Sequence, residues 1–495
     1  MSGIGFQKEY AVCGRSGVKT GRGAGHLNML SLHRSIEKMT DRISGILDQN
    51  IHSIWLYGSV VLNDFRPGWS DIDLLVLTND RITEQQARQL VGLRQAMLEA
   101  EPDDPYYRSF EGIIADVNEY RAGAFSRLVY WGTSGERITD RYQQDVFSLF
   151  ELAKYGKAIR GEDDRSLFAQ PSAIELREAV RQHYETVRRF AVRTDERLYT
   201  CGWLLDIARC IYTLRHNDVT AKTQAGIWAL SEHVFENEEP LKKTLRIRQN
   251  PVACKDRDDV RQWLKGLGPV VQQYADVLER ELYLADPCGA ASLSFRKAKR
   301  IDVPEGIGIF RDDQFDPSRC KGTDEPYFKL IHRLQNIKSP ELSPQYKVIR
   351  CDAGDLAQHI SECYTEERLS ADELRAAAGQ PGFDPDLWLA VIDTMNGKIV
   401  ASGIAEVDTD IGEGTLEWIQ ISPDHRQRGL GRFIVCELLH RLQGKADFVT
   451  VSGKMNHPDH PLALYRSCGF TDCAVWHIIR SHSNTVQSEK NPPPM

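Results

Sequence analysis

The stretch LYGSVVLNDFRPGWSDIDLLV, residues 56–76, constrains this chain more than any other. An apolar run ends in Gly58-Ser59, and twelve residues after the serine Asp71-Ile72-Asp73 stands inside a second apolar run. Residues i and i+2 of a strand project from the same face. Two carboxylates held side by side repel each other unless a cation lies between them. Hard oxygen ligands on a rigid strand suit Mg2+ carrying a nucleotide. A solvated strand edge also alternates aspartate with apolar residues. The Gly-Ser turn, the spacing and Ser70 ahead of the pair favour the metal.

Gly58-Ser59 followed by Ser70-Asp71-Ile72-Asp73 resembles the nucleotidyltransferase fold, in the branch that contains the aminoglycoside O-adenylyltransferases. The resemblance implies a Gly-Ser turn that holds nucleotide phosphates, with Gly58, Ser59 and Ser70 at the nucleotide and Asp71 and Asp73 on Mg2+. Where the family usually has a glycine four residues after the serine, this chain has Asn63, the side chain that best tolerates a left-handed backbone after glycine. The run FEGIIADV, 110–117, supplies two further acids, Glu111 and Asp116. In the adenylyltransferase branch a glutamate opening this strand is the proposed general base, and Glu111 matches it. Asp116 is the alternative, although its odd spacing puts it on the opposite strand face.

At 495 residues the chain is long enough for roughly three domains. A net charge of −8 argues against broad nucleic-acid binding. No run of about eighteen apolar residues is present, so no membrane span is expected. Eleven cysteines without a CxxC pair argue against a zinc site or a disulfide framework and fit a reducing cytoplasm. Residues 1–28 and 483–495 read as disordered tails, the first lacking the apolar core of a secretory signal.

Helical spacing over 31–50 precedes the strand at 52–57, and a surface helix is expected over 84–100. A helix then leads through 143–160 to the end of a first domain, 29–165. Four helical patterns follow, at 172–193, 200–216, 221–236 and 257–285, with Pro171-Ser172 and Thr220 as start signals. They make an all-helical domain over 166–286. Within it, Arg209, Tyr212, Lys222, Ala225 and Trp228 resemble the adenylyltransferase pattern, which implies that Arg209 and Lys222 reach the triphosphate. Fixed cations there would stabilise the charge of a departing pyrophosphate. Tyr199 stands where the streptomycin and spectinomycin enzymes place an acid against the antibiotic, so that specificity does not carry over. Residues 287–345 are rich in proline and read as a connector with an apparent helix at 327–337.

From Tyr346 short strands alternate with helices. Arg426-Gln427-Arg428-Gly429-Leu430-Gly431 lies between the strand TLEWIQIS and an amphipathic helix. Such a turn aims backbone N–H groups and a helix dipole at one point, which suits a pyrophosphate. Together with FVTVSGKMN and LALYRSCGF it resembles the acetyl-CoA site of the GNAT N-acetyltransferases, over 346–482. The resemblance implies acetyl-CoA at Ile421, Arg426, Arg428, Gly429, Leu430, Gly431, Arg432 and Asn456, with Tyr465 protonating the departing thiolate. Glu417, on the strand before the turn, is the candidate base for the amine.

The expected fold is therefore multidomain α/β. It has a polymerase-beta-like nucleotidyltransferase core, an all-helical second domain and a C-terminal α+β GNAT domain with a mixed sheet. The expected function is a bifunctional transferase. One half would move a nucleotide, AMP from ATP, to a hydroxyl of a small molecule such as an aminoglycoside-like antibiotic. The other would move acetyl from acetyl-CoA to an amine. Modification of partner proteins in a toxin-like or regulatory system, or a ligand-sensing role for one domain, are the alternatives.

Overall fold

The computed structural model describes residues 22–132, 135–287, 307–312, 315–318, 320, 322–339, 341–364 and 369–480. The chain divides into two compact units, Met1–Val277 and Leu278–Met495.

The first unit opens with α1 (Arg22–Leu47), so residues 22–28 of the expected tail are helical and residues 1–21 lie outside the described residues. Its Leu32, Ile36, Met39, Ile43 and Leu47 are buried, at the three- and four-residue steps of one helical face. A six-stranded sheet follows. It contains β1 (Ile51–Tyr57), β2 (Ile72–Thr78), β3 (Phe110–Asp116), β4 (Leu128–Trp131), β5 (Arg137–Thr139) and β6 (Lys157–Gly161) in the order β5-β4-β3-β2-β1-β6. β2 and β3 run parallel, and the remaining neighbours are antiparallel.

The two-residue period splits these strands between two cores. Ile54, Leu56, Ile72, Leu74, Val76, Phe110 and Ile114 pack with α1 and α3 (Glu84–Ala100). Trp55, Tyr57, Leu75, Leu77, Ile113 and Ala115 face the other way. Asp71, Asp73 and Glu111 share the parity of this second face, at its open end. Short α2 (Gly58–Val61) and α4 (Val117–Ala122) follow β1 and β3, and α5 (Val146–Tyr155) precedes β6.

The helical part holds more helices than the four expected. They are α6 (Ala173–Phe190), α7 (Tyr199–His216), α8 (Lys222–Ser231), α9 (Glu239–Gln249), α10 (Pro251–Cys254), α11 (Asp258–Lys265) and α12 (Gly268–Ala285), the last running across the boundary between the units. Ser172 caps α6 in a reciprocal capping box with Glu175. α8 starts at Lys222 behind Ala221 without a side-chain cap from Thr220. The expected helix over 257–285 breaks after Lys265, where Gly266 ends α11.

The second unit contains an eight-stranded sheet in the order β7-β14-β8-β13-β12-β11-β10-β9. Its strands are β7 (Ile307–Arg311), β8 (Thr323–His332), β9 (Tyr346–Ile349), β10 (Trp388–Asp393), β11 (Ile399–Asp408), β12 (Glu413–Ile421), β13 (Phe448–Lys454) and β14 (Thr471–Arg480). The helices are α13 (Ala353–Cys363), α14 (Ala371–Ala377), α15 (Leu430–Leu442) and α16 (Pro461–Ser467). Among the described strands of this sheet, only β12 and β13 pair in parallel.

The expected connector is corrected here. β8 occupies most of the segment read as a helix over 327–337, and it lies in the middle of the sheet between β13 and β14. Phe328 and Leu330 join one core while Ile331 joins another, which is strand alternation. The expected tail 483–495 lies outside the described residues.

Candidate functional sites

β1 ends in a sharp turn at Gly58, whose φ is +65°. A Cβ at that position would collide with the Asp73 carboxylate. Glycine therefore lets the backbone turn lie directly against the acid, at a left-handed angle other residues resist. Ser59 Oγ donates to the Asp71 carbonyl at 3.1 Å and fastens the turn to β2. Asn63 has φ +58°, the left-handed conformation expected of it. Ser70 is buried, and its Oγ accepts the Arg66 N–H at 3.0 Å, so its hydroxyl holds the loop 66–70.

Asp73 lies in register between Tyr57 of β1 and Glu111 of β3. Burial first, then Glu151, Asp71, Glu111 and Asp145, raises its carboxyl well above the usual range. Burial also raises Asp71, against the pull of Lys222 and Arg94. Asp116 does not join them. It is buried on the other parity and caps α4 through the N–H groups of Asn118 and Glu119 at 2.8 and 2.9 Å.

This crowding of acids is the electrostatic setting a divalent cation relieves. Among the described residues, no group of three His, Cys, Asp or Glu side chains makes a ready metal cage. Two carboxylates completed by substrate phosphates and water are how Mg2+ is usually held, so the donor set fits that ion.

Lys222, at the start of α8, pairs with Asp206 at 2.8 Å. Arg209, on α7, lies 3.7 Å from Asp206 and 3.4 Å from Glu151, with its guanidinium over the Phe147 ring. Burial raises the Asp206 carboxyl, but Lys222, Arg209 and His183 outweigh it and hold the group at about 2. Burial raises Glu151 against Arg209. The structure thus brings Asp71, Asp73, Glu111, Arg209 and Lys222 to one region of the first unit.

Sequence reasoning missed Asp206 and Glu151. The readable signal for Asp206 was an acid inside the apolar run WLLDIARCIY. Nearby, a cleft of about 430 Å3 is lined by Trp69, Leu198, Tyr199 and the charged Glu196, Arg197, Lys255 and Arg261. Trp69 of this cleft directly precedes Ser70 and Asp71 in the chain, and partial burial, Asp206 and Asp71 all raise the Tyr199 phenol.

In the second unit, β11 and β12 slip register between Ile404–Trp418 and Ala405–Leu416, leaving Glu417 as the extra residue of a bulge. β12 pairs with β13 only over Glu413–Leu416, opposite Phe448–Val451. The two strands separate after that point, next to Glu417. β12 then runs into the turn at 426–431, where Gln427 and Gly429 have φ +60° and +85°. The first N–H groups of α15, at Leu430, Gly431 and Arg432, emerge at that turn without partners inside the helix.

Arg426 reaches back to the Ile421 carbonyl at 3.4 Å and pairs with Asp459 at 2.7 Å, tying the turn to the loop that follows β13. Exposed Asn456 lies in the same loop. Arg428 donates to the Tyr346 hydroxyl at 3.4 Å.

Tyr465 is buried on α16 against the rings of Phe328 and Phe470. Burial, with Tyr364 and Cys468, pushes its phenol up, so it keeps its proton at neutral pH. His359 was not foreseen. Its Nε2 meets Ser422 Oγ at 3.0 Å and its Nδ1 meets Ser402 Oγ at 2.8 Å, supporting the start of the turn. Burial pushes the imidazole down to about 4, which keeps this support neutral.

The comparisons divide the chain in the same way. Residues 40–117 match the nucleotidyltransferase domain family, 166–266 the aminoglycoside adenylyltransferase C-terminal domain, and 384–472 the acetyltransferase (GNAT) domain. A search of the curated proteins finds no match. Among solved structures, spectinomycin adenyltransferase AAD(9) from Enterococcus faecialis is 16% identical, covering 50% of this chain and 99% of that one, with a TM-score of 0.37. A GCN5-related N-acetyltransferase from Sphaerobacter thermophilus is 17% identical, covering 43% and 68%, with a TM-score of 0.28. The ribosomal-protein-S18-alanine N-acetyltransferase from Escherichia coli is 20% identical, covering 28% and 97%, with a TM-score of 0.22. By these matches the chain carries a nucleotidyltransferase domain, an aminoglycoside adenylyltransferase C-terminal domain and a GNAT acetyltransferase domain.

Proposed function

We propose that the first unit transfers AMP from ATP to a hydroxyl of a small molecule, and that the second acetylates an amine from acetyl-CoA. The observation that carries the first half is the convergence of Asp71, Asp73 and Glu111 in one sheet end with Lys222 and Arg209 nearby. Asp71 and Asp73 hold Mg2+, which when bound polarises the α-phosphate and shields the pyrophosphate. Gly58 and Ser59 shape the turn against the phosphates. Glu111 takes the proton of the acceptor hydroxyl as its oxygen forms the bond to phosphorus. Arg209 and Lys222 neutralise the pyrophosphate as its bond breaks.

In the second unit the turn at Arg426–Gly431 receives the CoA pyrophosphate. Glu417, beside the opening between β12 and β13, takes a proton from the amine directly or through water. The amine nitrogen attacks the thioester carbonyl, the carbon–sulfur bond breaks, and Tyr465 gives its proton to the thiolate. A polyhydroxylated amine offers both acceptor groups, which supports antibiotic modification as the shared purpose. Nine free cysteines among the described residues support a reducing, cytoplasmic setting.

Thermal unfolding tests the two ligand assignments. ATP is expected to raise the melting temperature only with Mg2+ present, and chelation is expected to reverse the rise. Acetyl-CoA is expected to raise it with or without the metal. Stabilisation by ATP that persists in chelator refutes the metal assignment.

A further inference from the structure

Arg248 is almost fully buried on α9 and is bound on three sides. Its Nη2 donates to Asp64 Oδ2 at 2.8 Å, and its Nε donates to Thr223 Oγ1 at 3.0 Å. Its guanidinium also lies 5.4 Å from the centre of the Trp69 ring. The Thr223 N–H closes the circuit by donating to Asp64 Oδ2 at 3.1 Å. Asp64 is as deeply buried as Arg248, so the pair is sealed from solvent.

The partners of this one side chain sit next to the proposed machinery in sequence. Asp64 and Trp69 bracket the loop that delivers Ser70 and Asp71, and Thr223 follows Lys222. A planar fork with several fixed donors is suited to registering separate backbone segments at once. A lysine at position 248 would keep the charge and lose that geometry.

We infer that Arg248 is a positioning residue that sets the Asp71 loop and the Lys222 turn in register with each other, so that a metal-bound triphosphate meets both. This rests on the nucleotidyl-transfer reading of the first unit. Arg248 and Thr223 touch no reacting atom in this account, and their effect passes through the segments they fix.

The test measures the affinity of the full-length protein for magnesium-bound α,β-methylene-ATP, with thermal unfolding in parallel. Loss of a buried ion pair risks loss of the fold, so variants at Thr223 carry the test, beside Arg248→Lys. Thr223→Val removes the acceptor of the Arg248 Nε and is expected to weaken binding on the order of tenfold. Thr223→Ser restores that oxygen and is expected to return affinity to within about twofold of wild type. Equal binding by wild type and Thr223→Val overturns the positioning role and leaves the nucleotide reading standing. A weakening that Thr223→Ser shares in full, alongside an equal drop in melting temperature, marks a purely structural contact and overturns it too. A wild type that fails to bind the magnesium nucleotide refutes the nucleotidyl-transfer reading, and this inference with it.

Discussion

At the residue scale, the first site depends on one backbone angle. Gly58 holds φ +65° while its missing Cβ makes room for the Asp73 carboxylate. Gly58→Ala is expected to cost about 1–3 kcal/mol of stability and to abolish magnesium-dependent ATP binding, because the new methyl displaces the acid. Gly45→Ala is the control, since nothing lies within 4 Å of a Cβ there; it sits inside α1, where alanine is the better helix former, and is expected to be neutral or stabilising. Denaturant unfolding of the two variants checks both expectations. Asp71, Asp73 and Glu111 were legible in the sequence because a two-residue period fixes which face each acid takes. The same parity separated Glu111 from Asp116, which caps α4. Asp206, Glu151 and Arg248 were not legible as site neighbours. Their partners lie far along the chain, and an isolated charge in an apolar helix carries no address.

At the element scale, most boundaries followed from local pattern, while the errors came from non-local pairing. Leu330, Leu334 and Ile337 fall at helical steps, yet pairing with β13 and β14 makes Thr323–His332 a strand, β8. The extra helices α9 and α10 meet at Pro251, whose position at the start of α10 is invisible without the backbone. The bulge at Glu417 was equally hidden, since it exists only as a mismatch between two strands. β7 gains a tie of its own. His477 of β14 bridges Asp312 at 3.0 Å and Asp324 at 2.9 Å and stacks on Phe315. Burial lowers the imidazole, but hydrogen bonds to the two aspartates outweigh it and raise the group above its ordinary value. A raised histidine contributes its stability in full below the unfolded value of about 6.5. That contribution fades as pH rises through the folded value. The melting-temperature difference between wild type and His477→Gln is therefore expected to be largest near pH 6 and to shrink towards pH 9. A difference independent of pH contradicts the charged tie.

At the scale of the whole molecule, the chain is two compact units with separate sheets and separate cores. Asp71, Asp73, Glu111, Arg209 and Lys222 all fall within the first unit, whereas Glu417, the turn at 426–431 and Tyr465 fall within the second. Neither set borrows a residue from the other. The two chemistries are therefore expected to fail independently. The most direct test follows pyrophosphate release from Mg-ATP and thiol release from acetyl-CoA in the same preparations of full-length protein. A panel of polyhydroxylated amines serves as acceptors. Asp73→Asn is expected to reduce pyrophosphate release by at least about 100-fold with acetyl transfer unchanged. Tyr465→Phe is expected to slow thiol release by roughly 100-fold or more with nucleotide chemistry unchanged. Pyrophosphate release that survives Asp73→Asn, or loss of both activities on either substitution, contradicts the account of two self-contained transferase sites.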